Sequence, residues 1–153
     1  MQETVAAAIN RATLEVFALI VGVDVVAEPH GQSMWPALET NIISSFRLSG
    51  SIAGMAQVCY TLPLANRITC QMLQIEPPAR EPDVLDAAGE VANMIVGNVK
   101  NSLESRWGPI RIGTPAVEFK DDSGEKPQAM RMNFRCCGDI FAVSVAFQED
   151  ILC

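Results

Sequence analysis

The sequence predicts an α+β fold: a mostly antiparallel sheet packed by two long helices and built from a duplicated helix-plus-hairpin unit with pseudo-two-fold symmetry. Three observations support this prediction. Helix-like and strand-like segments form separate blocks along the chain. Apolar runs are joined by short Gly-Ser or Gly-Asp turns, as in β-hairpins. The chain also contains two similar copies of a helix followed by such a hairpin.

The duplication is visible in two pairs of short segments. Five of eight positions agree in the first pair and four of seven in the second, in residues 15–22 with 90–97 and 46–52 with 134–140. Two copies are too few for a solenoid. We therefore expect a single domain over residues 1–153, whose repeats span about residues 3–61 and 82–148.

The first copy is predicted to start with a helix over about residues 3–20, followed by a short valine-rich strand over 22–28. Strands near 42–49 and 52–60 come next, because both runs are apolar and a glycine lies between them. Residues 28–41 match no pattern and are left unassigned.

Proline and glycine mark the helices that follow. Pro63 suits the first turn of a helix that ends near Leu73. After a proline-rich connector, Asp83 is a candidate N-cap for a long helix. The Gly-Pro pair that follows Trp107 ends this helix. Strands near residues 110–119, 128–137 and 140–147, with a turn over 121–127, complete the chain.

The amino-acid composition favours an ordered globular protein and argues against nucleic-acid binding. Hydrophobic residues make up 49% of the chain, which is enough for an ordered core. The net charge of −7 leaves no basic stripe for phosphates, so no nucleic-acid partner is expected. The apolar run from Ala12 to Ala27 lacks a basic leader and is interrupted by Glu15 and Asp24. We interpret it as a core helix, too short to span a membrane, and we expect a cytoplasmic protein.

The sequence does not indicate catalysis by a nucleophile or a metal of its own. The five cysteines form no Cys-x-x-Cys pair, and an odd count without a secretory signal indicates reduced thiols. Cys136 and Cys137 are adjacent at a hairpin end, and on a strand they would face opposite sides. His30, the only histidine, is interpreted as a surface loop residue. No catalytic triad, phosphate-binding glycine loop or dinucleotide fingerprint can be read.

One face of the long helix carries a polar stripe. At about 100° per residue its members fall within about 80° of one another, and they are Asp86, Glu90, Asn93, Gly97 and Asn101. The opposite face is apolar, with Val84, Ala88, Val91, Ala92, Ile95 and Val99. A glycine on an exposed helix face costs stability relative to alanine. We therefore expect Gly97 to leave room for a large partner to approach the helix.

A solvated helix face is the simplest interpretation of such a stripe. The repeat argues against it, because the first copy has Ala18 where the second has Asn93. Only the second copy presents a carboxylate and a carboxamide side by side. Solvation alone does not explain this contrast.

The pattern Asp-x-x-x-Glu-x-x-Asn-x-x-x-Gly, formed by Asp86, Glu90, Asn93 and Gly97, resembles the signature of the CheC/CheX/FliY chemotaxis phosphatases. The order of elements over about residues 3–148 is similar to the CheX-like branch. CheC-type relatives usually carry the Glu-Asn pair on both repeat helices. Because Ala18 replaces the first Asn here, the resemblance implies one site per chain.

The resemblance implies an enzyme that speeds hydrolysis of the aspartyl phosphate on a phosphorylated CheY-like response regulator. Asn93 would orient the attacking water, Glu90 would pair with a lysine of the regulator, and Asp86 and Gly97 would support docking. No cofactor is implied on this chain, and Mg²⁺ is expected on the partner. A homodimer is also implied.

Two other interpretations remain open at this point. In the first, the same helix binds a response regulator as a non-catalytic adaptor module. In the second, the protein is a scaffold and the polar stripe only faces solvent.

Overall fold

The computed structural model of the chain describes residues 2–28, 41–120 and 129–148. Its helices are α1 (Gln2–Val16), α2 (Leu62–Leu73) and α3 (Glu81–Trp107), with a π-helical turn, Phe17–Val21, directly after α1. Its strands are β1 (Val26–Ala27), β2 (Asn41–Gly50), β3 (Gly54–Thr61), β4 (Ile110–Ile112), β5 (Ala116–Lys120), β6 (Ala129–Cys136) and β7 (Asp139–Phe147). His30, most of the unassigned segment 28–41 and the expected turn 121–127 lie outside the described residues.

The strands form one antiparallel sheet in the order β1-β6-β7-β3-β2-β4, with β5 also paired to β2. Each half of the chain supplies one hairpin, β2–β3 or β6–β7, and the two hairpins meet where β3 pairs with β7. Each half also contributes edge strands that pair with the hairpin of the other half. Strand β1 pairs with β6, and β4 and β5 pair with β2. The two hairpins and the central β3–β7 pair are related by exchange of the halves, but β2 has two outer neighbours, β4 and β5, where β6 has β1 among the described strands. The predicted α+β class with a mostly antiparallel sheet is confirmed.

All three helices pack on one face of this sheet, because alternate residues of the central strands point toward them. The phenylalanines that the repeat aligned, Phe46 and Phe134, are both fully buried there. Phe141 stacks between Phe17 and Phe134, with ring centroids 4.8 Å and 5.3 Å away. Helices α1 and α3 also pack against each other. The core therefore joins both halves of the chain.

The structure corrects several expected boundaries. The strand expected over 22–28 is reduced to the two residues of β1, because Gly22, with φ 78°, ends the π-helical turn and donates its N–H to Phe17 O at 2.7 Å. The strand expected near 110–119 is two short strands, β4 and β5. Asp83 is not the N-cap of α3. Arg80 holds that position without a side-chain cap, and Asp83 lies in the first turn, because the proline beside Glu81 starts the helix earlier.

The N-terminal helical segment Gln2–Val21 is, among the described helices, the one long and apolar enough to cross a membrane. This segment differs from the run Ala12–Ala27, on which the expectation was based, because the helical segment ends at Val21. Within its most apolar stretch, 44% of the residues are buried inside the protein. This burial, against α3 and the sheet, is the packing expected of a core helix.

Candidate functional site

Helix α3 has two chemically distinct faces. The carboxylates of Asp86 and Glu90 and the carboxamides of Asn93 and Asn101 are all on exposed residues. The opposite face is buried in the core, through Val84, Ala88, Val91, Ala92, Ile95 and Val99. The predicted segregation of polar and apolar residues is therefore confirmed. Cβ atoms three residues apart on a helix lie about 5–6 Å from each other. One binding partner can therefore contact the side chains of both Glu90 and Asn93.

Two glycines of α3 have different surroundings. A Cβ built on Gly89, which is buried, would lie 3.0 Å from Val117 Cγ2, so the absence of a side chain there serves packing. A Cβ built on Gly97 would meet nothing within 4 Å. Internal packing among the described residues therefore gives no reason for glycine at position 97. Because Gly97 has no side chain, the space beside Asn93 on the helix surface is open.

Helix α3 is anchored at both ends, which holds the polar stripe in one orientation. At its start, the Asn66 carboxamide of α2 accepts a hydrogen bond from the Ala79 N–H at 3.1 Å, fixing the connector. At its end, Glu104 accepts from the Ile110 N–H at 2.9 Å and pairs with Lys100 at 3.1 Å. The backbone hydrogen bond and the neighbouring ammonium group lower the pKa of Glu104.

The corresponding face of the first copy has a different structure. Glu15 and Ala18 are exposed, but Ala18 belongs to the π-helical turn rather than to a regular α-helix. Gly22, which aligns with Gly97, terminates the helical segment instead of lying within it. Leu19 is 80% exposed. The first copy therefore offers no second carboxylate and carboxamide pair.

The exposed stripe lies on the outer face of a single helix. A groove of about 310 Å³ lies at the start of α3 and is lined by Leu62, Asn66, Ala79, Glu81, Val84 and Phe119. Glu90 and Asn93 do not line it. Within the described ranges, no group of three or more His, Cys, Asp or Glu side chains is arranged to hold a metal ion.

Sequence reasoning missed one feature of the first-copy face and one feature of the β6–β7 hairpin. It did not anticipate the π-helical turn, for which the sequence offers no local signal. It also did not anticipate that Cys136 and Cys137 lie with their sulfurs close together, since strand geometry separates adjacent side chains. The roles of Glu90, Asn93, Asp86 and Gly97 stay predictions at this point.

A family model described as chemotaxis phosphatase CheX matches residues 42–129, which is more than half of the chain. That span contains the whole of α3 and therefore the polar stripe. None of the curated protein sequences matches the chain at a significant level.

Several solved structures have the same fold. A chemotaxis protein CheX from Desulfovibrio desulfuricans has a TM-score of 0.78 and 21% identity, covering 94% of this chain and 99% of that chain. A CheX from Vibrio vulnificus has a TM-score of 0.79 and 17% identity, with coverage of 94% and 96%. A CheX–CheY complex with BeF3 and Mg²⁺ from Borrelia burgdorferi has a TM-score of 0.74 and 18% identity, with coverage of 94% and 97%. At these identities the likeness concerns the fold.

Proposed function

This chain belongs to the CheX family of chemotaxis phosphatases, and on that premise we propose that it hydrolyses the aspartyl phosphate of a CheY-like response regulator. The observation that supports this most directly is the exposed Glu90–Asn93 pair on α3, with Gly97 leaving open space beside it. The CheX–CheY complex from Borrelia burgdorferi, which shares the fold, supports a partner of this kind.

Asn93 is assigned to the attacking water. Its amide oxygen accepts a hydrogen bond from the water, and its amide nitrogen donates to a phosphoryl oxygen, so that the water is held in line with the bond that breaks. Water forms the new bond to phosphorus, the bond from phosphorus to the aspartyl oxygen breaks, and inorganic phosphate leaves. A loose transition state requires little base strength from the amide.

Glu90 is assigned to docking. Its carboxylate pairs with the lysine ammonium beside the phosphorylation site of the regulator, which sets the position of the helix over the phosphoryl group. Asp86 lies one turn before Glu90 on the same exposed face and extends this acidic surface. Gly97 provides clearance for the backbone of the regulator. Mg²⁺ belongs to the regulator, and no cofactor is assigned to this chain.

The rate effect that this assignment requires is modest. An acceleration of about 100-fold corresponds to about 2.7 kcal/mol of transition-state stabilisation. Positioning a nucleophile can supply this much without a covalent intermediate. The anchoring of α3 at Ala79 and Ile110 limits the movement of the Asn93 backbone.

The whole chain, residues 1–153, acts as one domain with internal repeats at about 3–61 and 82–148, which the exchange of edge strands between the halves supports. The protein functions as a homodimer, as the family resemblance implies. It works in the cytoplasm, where a chemotaxis response regulator is found.

The test is the decay of phosphoryl label from a CheY-like receiver of the same organism, with Mg²⁺, in the presence of wild type, Asn93→Ala or Asn101→Ala. Wild type and Asn101→Ala are expected to speed the decay equally, because Asn101 shares the exposed face but lies two turns further along α3. Asn93→Ala is expected to lose the acceleration while still binding the receiver. An unchanged rate with Asn93→Ala would overturn the assignment.

The same experiment separates the adaptor and scaffold alternatives. An adaptor binds the receiver but leaves its phosphate as long-lived as in the protein-free control. A scaffold whose stripe only faces solvent neither binds nor accelerates, and Glu90→Ala and Asn93→Ala then change no interaction.

A further inference from the structure

The first copy presents an apolar surface where the second copy presents its polar stripe. Leu14, Ala18, Leu19 and Ile20 are all exposed there, and we call these four residues the apolar patch. Leu19, with 80% of its surface exposed, is the most exposed large apolar residue within the described ranges. Contiguous apolar patches on a protein surface mark sites of interaction.

The π-helical turn contributes to this exposure. In the repeat, Ile20 aligns with Ile95. Ile95 is fully buried, whereas 49% of the surface of Ile20 is exposed. The turn is closed by the Gly22 N–H, which donates to Phe17 O five residues earlier, and the extra residue in the turn rotates the side chains that follow it away from the core. The first copy therefore exposes an isoleucine that the second copy buries.

The apolar patch and the polar stripe belong to the same outer surface of the molecule. Helices α1 and α3 pack side by side on one face of the sheet. Because both helices turn their apolar residues toward the sheet, their exposed faces both point away from it. The axes of packed helices lie about 8–10 Å apart. The two faces are therefore neighbours.

Helix α2 shows which ends of α1 and α3 lie together. Its Asn66 carboxamide accepts a hydrogen bond from the Ala79 N–H, just before α3 begins. A Cβ built on Gly22, just after the π-helical turn, would lie 3.9 Å from Gln71 Nε2 of the same helix. These two positions of α2 are about 7.5 Å apart along its axis. The apolar patch therefore lies at the end of the helix layer where α3 begins.

The area of the polar stripe is too small for a protein interface. From Asp86 to Gly97 the stripe runs about 16 Å along a helix about 10 Å wide, which gives roughly 160 Å². A specific interface covers about 800 Å² on each partner, and a circular patch of that area has a radius of about 16 Å. This radius exceeds the distance between the axes of packed helices. A partner centred on Glu90 and Asn93 therefore also covers part of α1.

We propose that the apolar patch, with Leu19 as its main contact, binds apolar surface of the same receiver domain whose phosphoryl group lies over Asn93. The inference rests on the proposed function and extends it to the first copy of the repeat. The polar stripe sets the position of the phosphoryl group, while the patch removes apolar surface of both proteins from water. The first copy, which has Ala18 where the second has Asn93, thus contributes affinity and not catalysis. Each chain then binds one receiver.

The test compares Leu19→Gln with wild type in two measurements on the full chain. One is the Kd for a CheY-like receiver of the same organism loaded with BeF3 and Mg²⁺, and the other is kcat and KM with the phosphorylated receiver. Leu19→Gln is expected to raise Kd and KM about tenfold and to leave kcat unchanged, because the side chain that orients the water is not altered. The effect is expected to persist at high salt, since no charge is removed.

Two further variants serve as controls. Leu19→Met keeps an apolar side chain and is expected to bind as wild type does. Met55→Gln makes the same kind of change at a residue that is 36% exposed on the other face of the sheet, since its neighbour Ala56 is in the core. It is expected to leave Kd, KM and kcat unchanged. Thermal unfolding of each variant checks that the fold is retained.

The outcomes separate this inference from the proposed function. If wild type binds the receiver without speeding the decay, the catalytic assignment fails, and a tenfold higher Kd of Leu19→Gln still supports the patch. If wild type binds no receiver, both proposals are overturned. Equal Kd and KM values for wild type and Leu19→Gln overturn the role of the patch alone. That role is also overturned if Leu19→Gln lowers the mass of the protein in light scattering without changing its affinity for the receiver, because the patch then contacts a second copy of this chain.

Discussion

At the scale of single residues, the proposed mechanism assigns water orientation to the carboxamide of Asn93 and docking to the carboxylate of Glu90. Asn93 both accepts and donates hydrogen bonds, which suits a position between a water and a phosphoryl oxygen. Glu90 only accepts when ionised, and its charge makes it a partner for an ammonium group. Both side chains are exposed, so neither is desolvated before the regulator binds. The two residues are therefore expected to fail in different ways when they are replaced.

Glu90→Gln keeps the shape of the side chain and removes its charge. Hydrogen bonds to charged groups are worth about 1.5–3 kcal/mol, so kcat/KM toward the phosphorylated receiver is expected to fall roughly 10–100-fold, mainly through a higher KM. Steady-state dephosphorylation at several receiver concentrations measures this. Raising the salt concentration is expected to weaken wild type more than the variant. A fall in kcat with KM unchanged would contradict the docking role.

Gly97→Ala separates the stability of the helix from the docking of the partner. The added methyl meets nothing within 4 Å, and alanine is favoured over glycine in a helix by about 0.8–1.0 kcal/mol. The variant is therefore expected to unfold at a higher temperature and to dephosphorylate the receiver more slowly. Thermal unfolding and the phosphoryl-decay assay measure the two effects. A variant that is more stable and fully active would contradict the clearance role.

At the scale of elements, one face of α3 packs in the core and the other presents the polar stripe. Contacts at the two ends of α3 fix its position. The apolar face packs on α1, α2 and the sheet, while the polar face stays open. The C-terminal end is joined to the sheet through Glu104, which contacts both Lys100 on the helix and the Ile110 N–H at the start of β4. A charged group at this junction makes the anchoring sensitive to pH.

Glu104→Gln tests that sensitivity. The pKa of Glu104 is lowered by folding, so its charged form contributes stability above its ordinary pKa of 4.5, and this contribution is lost as the pH falls below that value. The variant is expected to unfold at a lower temperature than wild type at pH 7, with the difference closing below pH 4.5. Thermal unfolding over a pH series measures this. A difference that stays constant with pH would show that the charge of Glu104 contributes nothing.

At the scale of the whole molecule, each half of the chain contributes edge strands that pair with the hairpin of the other half. Strands β3 and β7 pair at the centre, and each half completes the outer edge of the other half's hairpin. The hydrophobic core is continuous across this junction. Neither half can keep its full sheet without the other, so the molecule is expected to unfold in one cooperative step.

Gly54→Ala tests the junction between the halves. Gly54 pairs with Phe147 where β3 meets β7, and a Cβ at this position would collide with the carbonyl oxygen of Ala146. The main chain must shift to accept it, so we expect a loss of about 3 kcal/mol in the free energy of unfolding. Urea denaturation measures the change, and Gly97→Ala serves as the control at a position with open space. An unchanged midpoint would contradict the predicted collision.

The sequence by itself determined the features that depend on local periodicity and on proline and glycine. The end of α3 at Trp107, the two hairpins, and the separation of Glu90 and Asn93 from the apolar face were all readable in this way. The tertiary structure decided what depends on residues distant in the chain. It set the pairing of β1 with β6 and of β4 and β5 with β2, the hydrogen bond from the Ile110 N–H to Glu104, and the packing of the Cys137 turn against Arg67. Local patterns define which face of an element is polar, but only the long-range packing determines which elements become neighbours and which side chains they bring together.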